Sequence, residues 1–157
     1  MRTAEDLAAI EVLSFVAQIS DQVAEFCRSL RSRGRPGIDT PKVLSDVECR
    51  RYKNGLILSI WVEMLVDADR DLTWWMDVSP HRWKDSWSAD SLPVDAEGWW
   101  IDASVSWNGR DRETELPRQQ VADFRAVREA VPHLLNELFA AGLDVHDRAL
   151  QTTAPLG

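Results

Sequence analysis

Tryptophan and carboxylate side chains recur together in the middle of the chain, and they are the residues best suited to chemistry. Within the alternating apolar runs, a carboxylate follows a Trp at a spacing of two in three places: Trp61 and Glu63, Trp75 and Asp77, Trp100 and Asp102. Alternate residues of a β-strand point to the same face. If these stretches are strands, each pair therefore shares a face. Paired carboxylates perform acid–base work in glycosidases, whereas carboxylates beside Trp are typical of a surface that binds a basic protein.

The sequence carries no recognised catalytic or metal-binding motif. A nucleophile elbow, a phosphate-binding glycine loop and a zinc-protease helix are all missing from the 157 residues. The three histidines, His81, His133 and His146, are far apart and have no partner at ligand spacing. We therefore predict a protein that is not an enzyme and that uses no metal or cofactor.

Length and charge limit the class of protein further. A chain of 157 residues fits one domain, residues 1–157, with a core large enough to need no disulfide. The formal charge of −8 disfavours binding to nucleic acid or to an anionic membrane and favours a basic protein partner. We expect a cytoplasmic location for three reasons. The N-terminus is acidic, no apolar run is long enough to span a membrane, and the two cysteines, Cys27 and Cys49, do not have metal-binding spacing. No internal repeat is evident.

Apolar periodicity predicts a helix at each end of the chain. The first helix is expected from about residue 4 to 33, because apolar residues recur at steps of three and four from Leu7 to Leu30. The second is expected to begin at Pro117, to kink at Pro132 and to end near Gly142. The remaining segment, 143–157, shows no period.

Alternating apolar residues predict an antiparallel meander between the helices. The runs 43–52 and 56–67 flank Asn54-Gly55, the dipeptide most typical of a tight hairpin. Further strands are expected at 72–79, at 99–107 and, after a second Asn-Gly, at 110–116 as a charged edge. The segment 80–98 mixes Trp with turn formers and has room for one edge strand. The resulting fold is α+β, with four to five strands and both helices packed on one sheet face.

Strand parity divides the tryptophans between two faces. Trp74, Trp99 and Trp107 are predicted to enter the core under the helices. The opposite face is predicted to carry the partner-binding residues: Trp61, Glu63, Trp75, Asp77, Trp100 and Asp102. This second face is either covered by another element or subunit, in which case its tryptophans are ordinary core, or it is a recognition surface.

The chain has three acidic, Trp-bearing runs: WVEM, TWWMDV and GWWIDASVSW. With these runs, and with its size and charge, the chain resembles the small immunity proteins of bacterial toxin systems. The resemblance implies a protein that binds a cognate basic toxin or secreted effector and occludes its active site. Two other classes stay open: a secretion-chaperone-like domain that holds a client, and a small-ligand domain or enzyme in which Asp77 or Asp102 polarises the ligand. The sequence predicts no oligomeric state.

Overall fold

The computed structural model describes residues 4–33, 41–52, 55–67, 69–80, 98–108 and 112–153. Within these ranges the chain forms an α+β fold with a helix at each end and an antiparallel sheet of six strands between them, which confirms the predicted class. The elements are α1 (Ala4–Arg31), β1 (Lys42–Tyr52), β2 (Gly55–Leu65), β3 (Asp71–Pro80), β4 (Trp99–Trp107), β5 (Arg112–Glu115), β6 (Gln119–Val121) and α2 (Phe124–Thr153). None of the described helices is long and apolar enough to cross a membrane.

Strands β1 to β5 follow one another in the sheet, and β6 pairs with β4 beside β5. Strands β1 and β2 form the predicted hairpin, in which Tyr52 lies opposite Gly55, so Gly55 is the first residue of β2. At the second Asn-Gly, Asn108 has a positive φ of 51° and its amide donates to the carbonyl of Asp71 at 2.9 Å. Asn tolerates this left-handed conformation better than most residues, so local turn chemistry fixes this end of the meander. The edge strand considered within 80–98 falls mostly on 81–97, which lie outside the described residues.

One sheet face forms the core, as alternation predicts. Trp74 and Trp99 are 1% exposed and Trp107 is 6% exposed, which confirms the predicted inward set. Helix α1 packs mainly on β1, and α2 packs on β3 and β4. The inner face of the sheet is thus covered by the two helices.

Trp74 is the point at which the sheet and both helices meet. Its indole Nε1 donates to the carbonyl of Phe139 in α2 at 3.3 Å, and its ring meets Phe26 of α1 edge-on at 5.1 Å. Phe26 in turn stacks on the Phe139 ring at 3.7 Å. The indole lies against Gly142, where a Cβ would overlap its Nε1 and Cε2 atoms. Only a glycine allows α2 to approach Trp74 this closely.

The predicted end of the second helix near Gly142 is therefore wrong. Helix α2 continues to Thr153, with Ala149 buried in the core. The sequence does not distinguish a glycine that ends a helix from a glycine that leaves room for a neighbouring ring, because both positions require the absence of a side chain. Only the position of Trp74 distinguishes the two cases.

The predicted start of the second helix at Pro117 is also wrong. Helix α2 begins at Phe124, and the side chain of Asp123 accepts a hydrogen bond from the amide of Ala126 at 2.8 Å. This is the contact of an N-cap residue. Pro117 instead precedes the short strand β6, where the missing amide hydrogen of proline is tolerated at a sheet edge.

The apolar stripe of α1 differs from the predicted one at its N-terminal end. The side chains that enter the core are Phe15, Ile19, Val23, Phe26, Cys27 and Leu30. Ile10 and Leu13, which were predicted to lie on this stripe, are exposed, Leu13 to 68%. An α-helix has 3.6 residues per turn, so side chains that are separated by repeated steps of three drift around the helix and away from its buried face.

A bulge separates β5 from β6 along the same edge of β4. Ser104 pairs with Glu115 and Ile101 pairs with Gln119, so two residues of β4 face three residues of the edge segment. The amide of Leu116 still donates to the carbonyl of Ala103 at 2.9 Å. Bulges bend a strand and re-aim its side chains, and this one carries Pro117 and Arg118.

The contact between Gly142 and Trp74 predicts that Gly142→Ala destabilises the protein. Helix propensity alone would favour alanine by about 0.8–1 kcal/mol, but the added methyl group overlaps the indole. We expect the free energy of unfolding to fall by about 1–3 kcal/mol, the usual cost of overpacking, in urea denaturation. Ala140→Ser, at an exposed position of the same helix, is the control. A Gly142→Ala protein as stable as the wild type would contradict this packing.

Candidate binding groove

The six predicted partner-binding residues lie on the sheet face opposite the helices. Strand register places Trp61 opposite Trp75 and Asp77 opposite Asp102. Trp75 is 37% exposed, while Trp61 and Trp100 are half-buried. The parity that buries Trp74 and Trp99 therefore also places their sequence neighbours on the outer face.

A groove with a volume of about 880 Å³ crosses this face over β3, β4 and the edge strand. Its lining combines one large aromatic ring with carboxylates, hydroxyls and one guanidinium group. The lining residues are Ile57, Trp75, Asp77, Ser79, Asp102, Ala103, Ser104, Glu113, Glu115, Leu116 and Arg118. Three of the six predicted residues, Trp75, Asp77 and Asp102, line the groove directly.

The other three predicted residues lie around the groove. Trp61 is the cross-strand neighbour of Trp75, and Glu63, two residues further along β2, pairs with Thr73. Trp100 lies beneath Arg118, whose Cζ is 4.9 Å from the centroid of the indole ring. The structure thus brings the two carboxylates Asp77 and Asp102 together and leaves Glu63 at the periphery.

Arg118 lines the groove but was not among the residues that the sequence predicted for this face. Its Nε donates to Oδ1 of Asp102 at 2.5 Å, so one guanidinium group pairs with a carboxylate and stacks on an indole. Such an arrangement combines an ion pair with a cation–π contact. The sequence placed Arg118 in the first turn of a helix. The bulge, which no local pattern announces, instead directs it onto the outer face.

Asp77 is a carboxylate in an unfavourable electrostatic position. Burial raises the pKa of Asp77 above its usual value, the hydrogen bond from the Ser59 hydroxyl at 2.6 Å opposes this, and the negative charge of Asp102 raises it further. Burial also raises the pKa of Asp102, while the paired Arg118 guanidinium favours its ionised form. Burial thus makes ionisation costly for both groups, and at Asp77 the repulsion between like charges directly opposite each other in the sheet adds to this cost.

The groove is chemically suited to bind a cation. It offers two carboxylates at its floor, two more at the edge strand, Glu113 and Glu115, and an exposed indole face at Trp75. A positive group placed here would gain from both the carboxylates and the ring quadrupole. Among the described residues, no group of three His, Cys, Asp or Glu has an arrangement that could hold a metal ion.

Comparisons with known proteins identify no relative of this chain. No protein-family model matches it, and neither a curated protein nor a solved structure is significantly similar. The function has to be inferred from the groove itself.

The raised pKa of Asp77 predicts a pH-dependent effect of Asp77→Asn on stability. A carboxyl with a raised folded-state pKa contributes stability that is fully present below the unfolded pKa and lost as pH rises through the folded pKa. We therefore expect Asp77→Asn to be more stable than wild type at pH 7, by about 0.2–1 kcal/mol as for relief of a cross-strand repulsion.

Urea denaturation from pH 3 to 8 measures this effect. The difference should shrink as the pH falls through about 3.9, the usual pKa of an unfolded Asp, because the carboxyl then becomes protonated in both states. Asp102→Asn is the matched variant and should gain less, because it also loses the charge that pairs with Arg118. A lower stability of Asp77→Asn at pH 7 would show that the carboxylate is stabilising.

Proposed function

We propose that this protein is a non-catalytic binding module, an immunity protein or inhibitor that neutralises a cognate bacterial toxin by occluding the toxin's active site. The binding surface is the outer sheet face, with Trp61, Glu63, Trp75, Asp77, Trp100 and Asp102. The observation that carries the proposal is the exposed indole of Trp75 in an acidic groove, beside a carboxylate pair whose ionisation is costly.

The energetics of the groove support a binding role. Retaining an exposed Trp and two opposed aspartates contributes little to the stability of the isolated chain. On binding, the same groups become favourable, because Trp is among the commonest hot-spot residues and a cation relieves the repulsion between the carboxylates. A basic protein partner would gain from both effects.

Charge and thiol chemistry support the remaining parts of the proposal. A net charge of −8 would repel nucleic acid and anionic membranes and would attract a basic toxin or secreted effector. Cys27 and Cys49 are free thiols, as expected for a protein that acts in a reducing cytoplasm. The proposal includes no cofactor.

A small-ligand domain or enzyme is the second candidate, and the shape of the groove favours it. A volume of about 880 Å³ is within the range of small-molecule sites, roughly 300–1,000 Å³, and the groove contains both Asp77 and Asp102. Ligand sites, however, are mostly apolar with few polar groups. Four carboxylates and a guanidinium suit a charged protein surface better.

The proposal predicts that the outer tryptophans are needed for protection against a toxin. The protein encoded beside this chain's gene should be toxic when expressed alone and harmless when the two chains are expressed together. Trp75→Ala combined with Trp100→Ala should abolish protection and weaken binding of the purified toxin by about 2 kcal/mol or more, as for hot-spot residues, in titration calorimetry.

Leu13→Ala is the matched control, since it removes an exposed apolar side chain from α1, away from the sheet face. It should leave protection and affinity unchanged. Thermal unfolding of each variant separates lost binding from lost folding. A neighbouring gene product that is not toxic, or full protection by a folded double variant, would refute the immunity function.

A further inference from the structure

The two strands that form the groove floor carry a short repeat, so the prediction that the sequence has no internal repeat is wrong at these strands. The segments 74-WWMDVS-79 and 99-WWIDAS-104 are identical at four of six positions, and the two differences are between apolar residues. The segments lie on neighbouring antiparallel strands, β3 and β4. Their similarity therefore has a geometrical consequence.

Strand register relates the two repeats by a local two-fold axis perpendicular to the sheet. Asp77 is opposite Asp102, Trp75 is opposite Ser104, and Ser79 is opposite Trp100. Rotation about a point between the two aspartates exchanges each residue with its counterpart in the other repeat. The outer face thus contains two equivalent half-sites, Trp75–Asp77–Ser79 and Trp100–Asp102–Ser104.

One half-site already holds a guanidinium group from this chain. Arg118 stacks on Trp100, with its Cζ 4.9 Å from the ring centroid, and donates from Nε to Asp102. The chain therefore shows how a Trp-x-Asp half-site binds arginine. The bulge between β5 and β6 is what brings this arginine from the neighbouring strand onto Asp102.

The second half-site has the same groups and a different neighbour. The residue that faces Asp77 from β2 is Ser59, whose hydroxyl donates to Oδ1 of Asp77 at 2.6 Å. Trp75 is 37% exposed and both it and Asp77 line the groove. Ser79 and Ser104 also line the groove and are only 7% and 8% exposed.

We propose that the Trp75–Asp77 half-site binds an arginine side chain of the partner protein, in the way that Trp100 and Asp102 bind Arg118. The inference rests on the proposed function and specifies its partner: a protein that presents an arginine to the groove. Arginine fits better than lysine, because its planar guanidinium stacks on an indole while its edge donates to a carboxylate and to hydroxyl oxygens. Asp102 is already paired with Arg118, so Asp77 is the carboxylate that the partner's arginine would neutralise.

The experiment uses acetyl-arginine-N-methylamide as a probe of a protein-bound arginine. Titration into the full chain, followed by the indole N–H resonances in NMR, should shift the Trp75 resonance saturably. The citrulline analogue, which has the same shape without the charge, should not. Asp77→Asn should weaken binding of the arginine probe about fivefold or more, whereas Glu129→Gln, an exposed carboxylate on α2, should not.

The symmetry of the half-sites gives a second measurement. Arg118→Gln removes the internal guanidinium, so the Trp100 resonance should then also respond to the probe and the stoichiometry should rise from one to two. In the wild-type protein the Trp100 resonance should not respond.

Any one of the following results would overturn the inference: no shift of Trp75 with the arginine probe, an equal shift with the citrulline analogue, or no second site in Arg118→Gln. Free L-arginine binding more than tenfold tighter than the blocked probe would also overturn it, by showing a site for a small ligand. Failure of the proposed function is distinguishable, because toxin neutralisation is measured without the probe. Protection without arginine binding would remove this inference alone, and arginine binding without protection would remove the immunity function alone.

Discussion

The packing of Trp74 against Gly142 is the constraint on which the rest of the structure depends. The indole joins β3 to α2 through its hydrogen bond to Phe139 and joins α1 through Phe26. A large aromatic side chain fixed in this way leaves β3 no freedom to shift by one residue, because a one-residue slip would exchange its two faces. The burial of Trp74 therefore determines that Trp75 and Asp77 lie on the outer face.

The outer groove follows from that constraint through register. With β3 fixed, antiparallel pairing to β4 sets Asp77 against Asp102, and the bulge on the next strand sets Arg118 against Asp102. The sheet thereby holds two carboxylates and an exposed indole in an arrangement that is costly for the isolated chain. Buried serines at Ser79 and Ser104 complete the groove on either side of the aspartates. A cationic partner would relieve this cost.

Most of the fold could be predicted from local pattern, and the failures have a common cause. Alternation identified the buried Trp74, Trp99 and Trp107, and Asn-Gly dipeptides located the turns, because both signals act between near neighbours. The errors at Gly142 and Pro117 arose where one residue type serves two purposes. Gly142 accommodates Trp74 from 68 positions earlier in the chain, and Pro117 belongs to a bulge that exists only through pairing with β4.

The sequence by itself determined the α+β class, the division of the tryptophans between two faces and the acidic character of the outer one, because these depend on periodicity and composition. Only the tertiary structure decided which of these residues meet. Cross-strand register brought Asp77 to Asp102, and the bulge brought Arg118 to Trp100. Both contacts join residues remote in sequence, and their geometry is set by the pairing of whole strands, which no short stretch of sequence encodes.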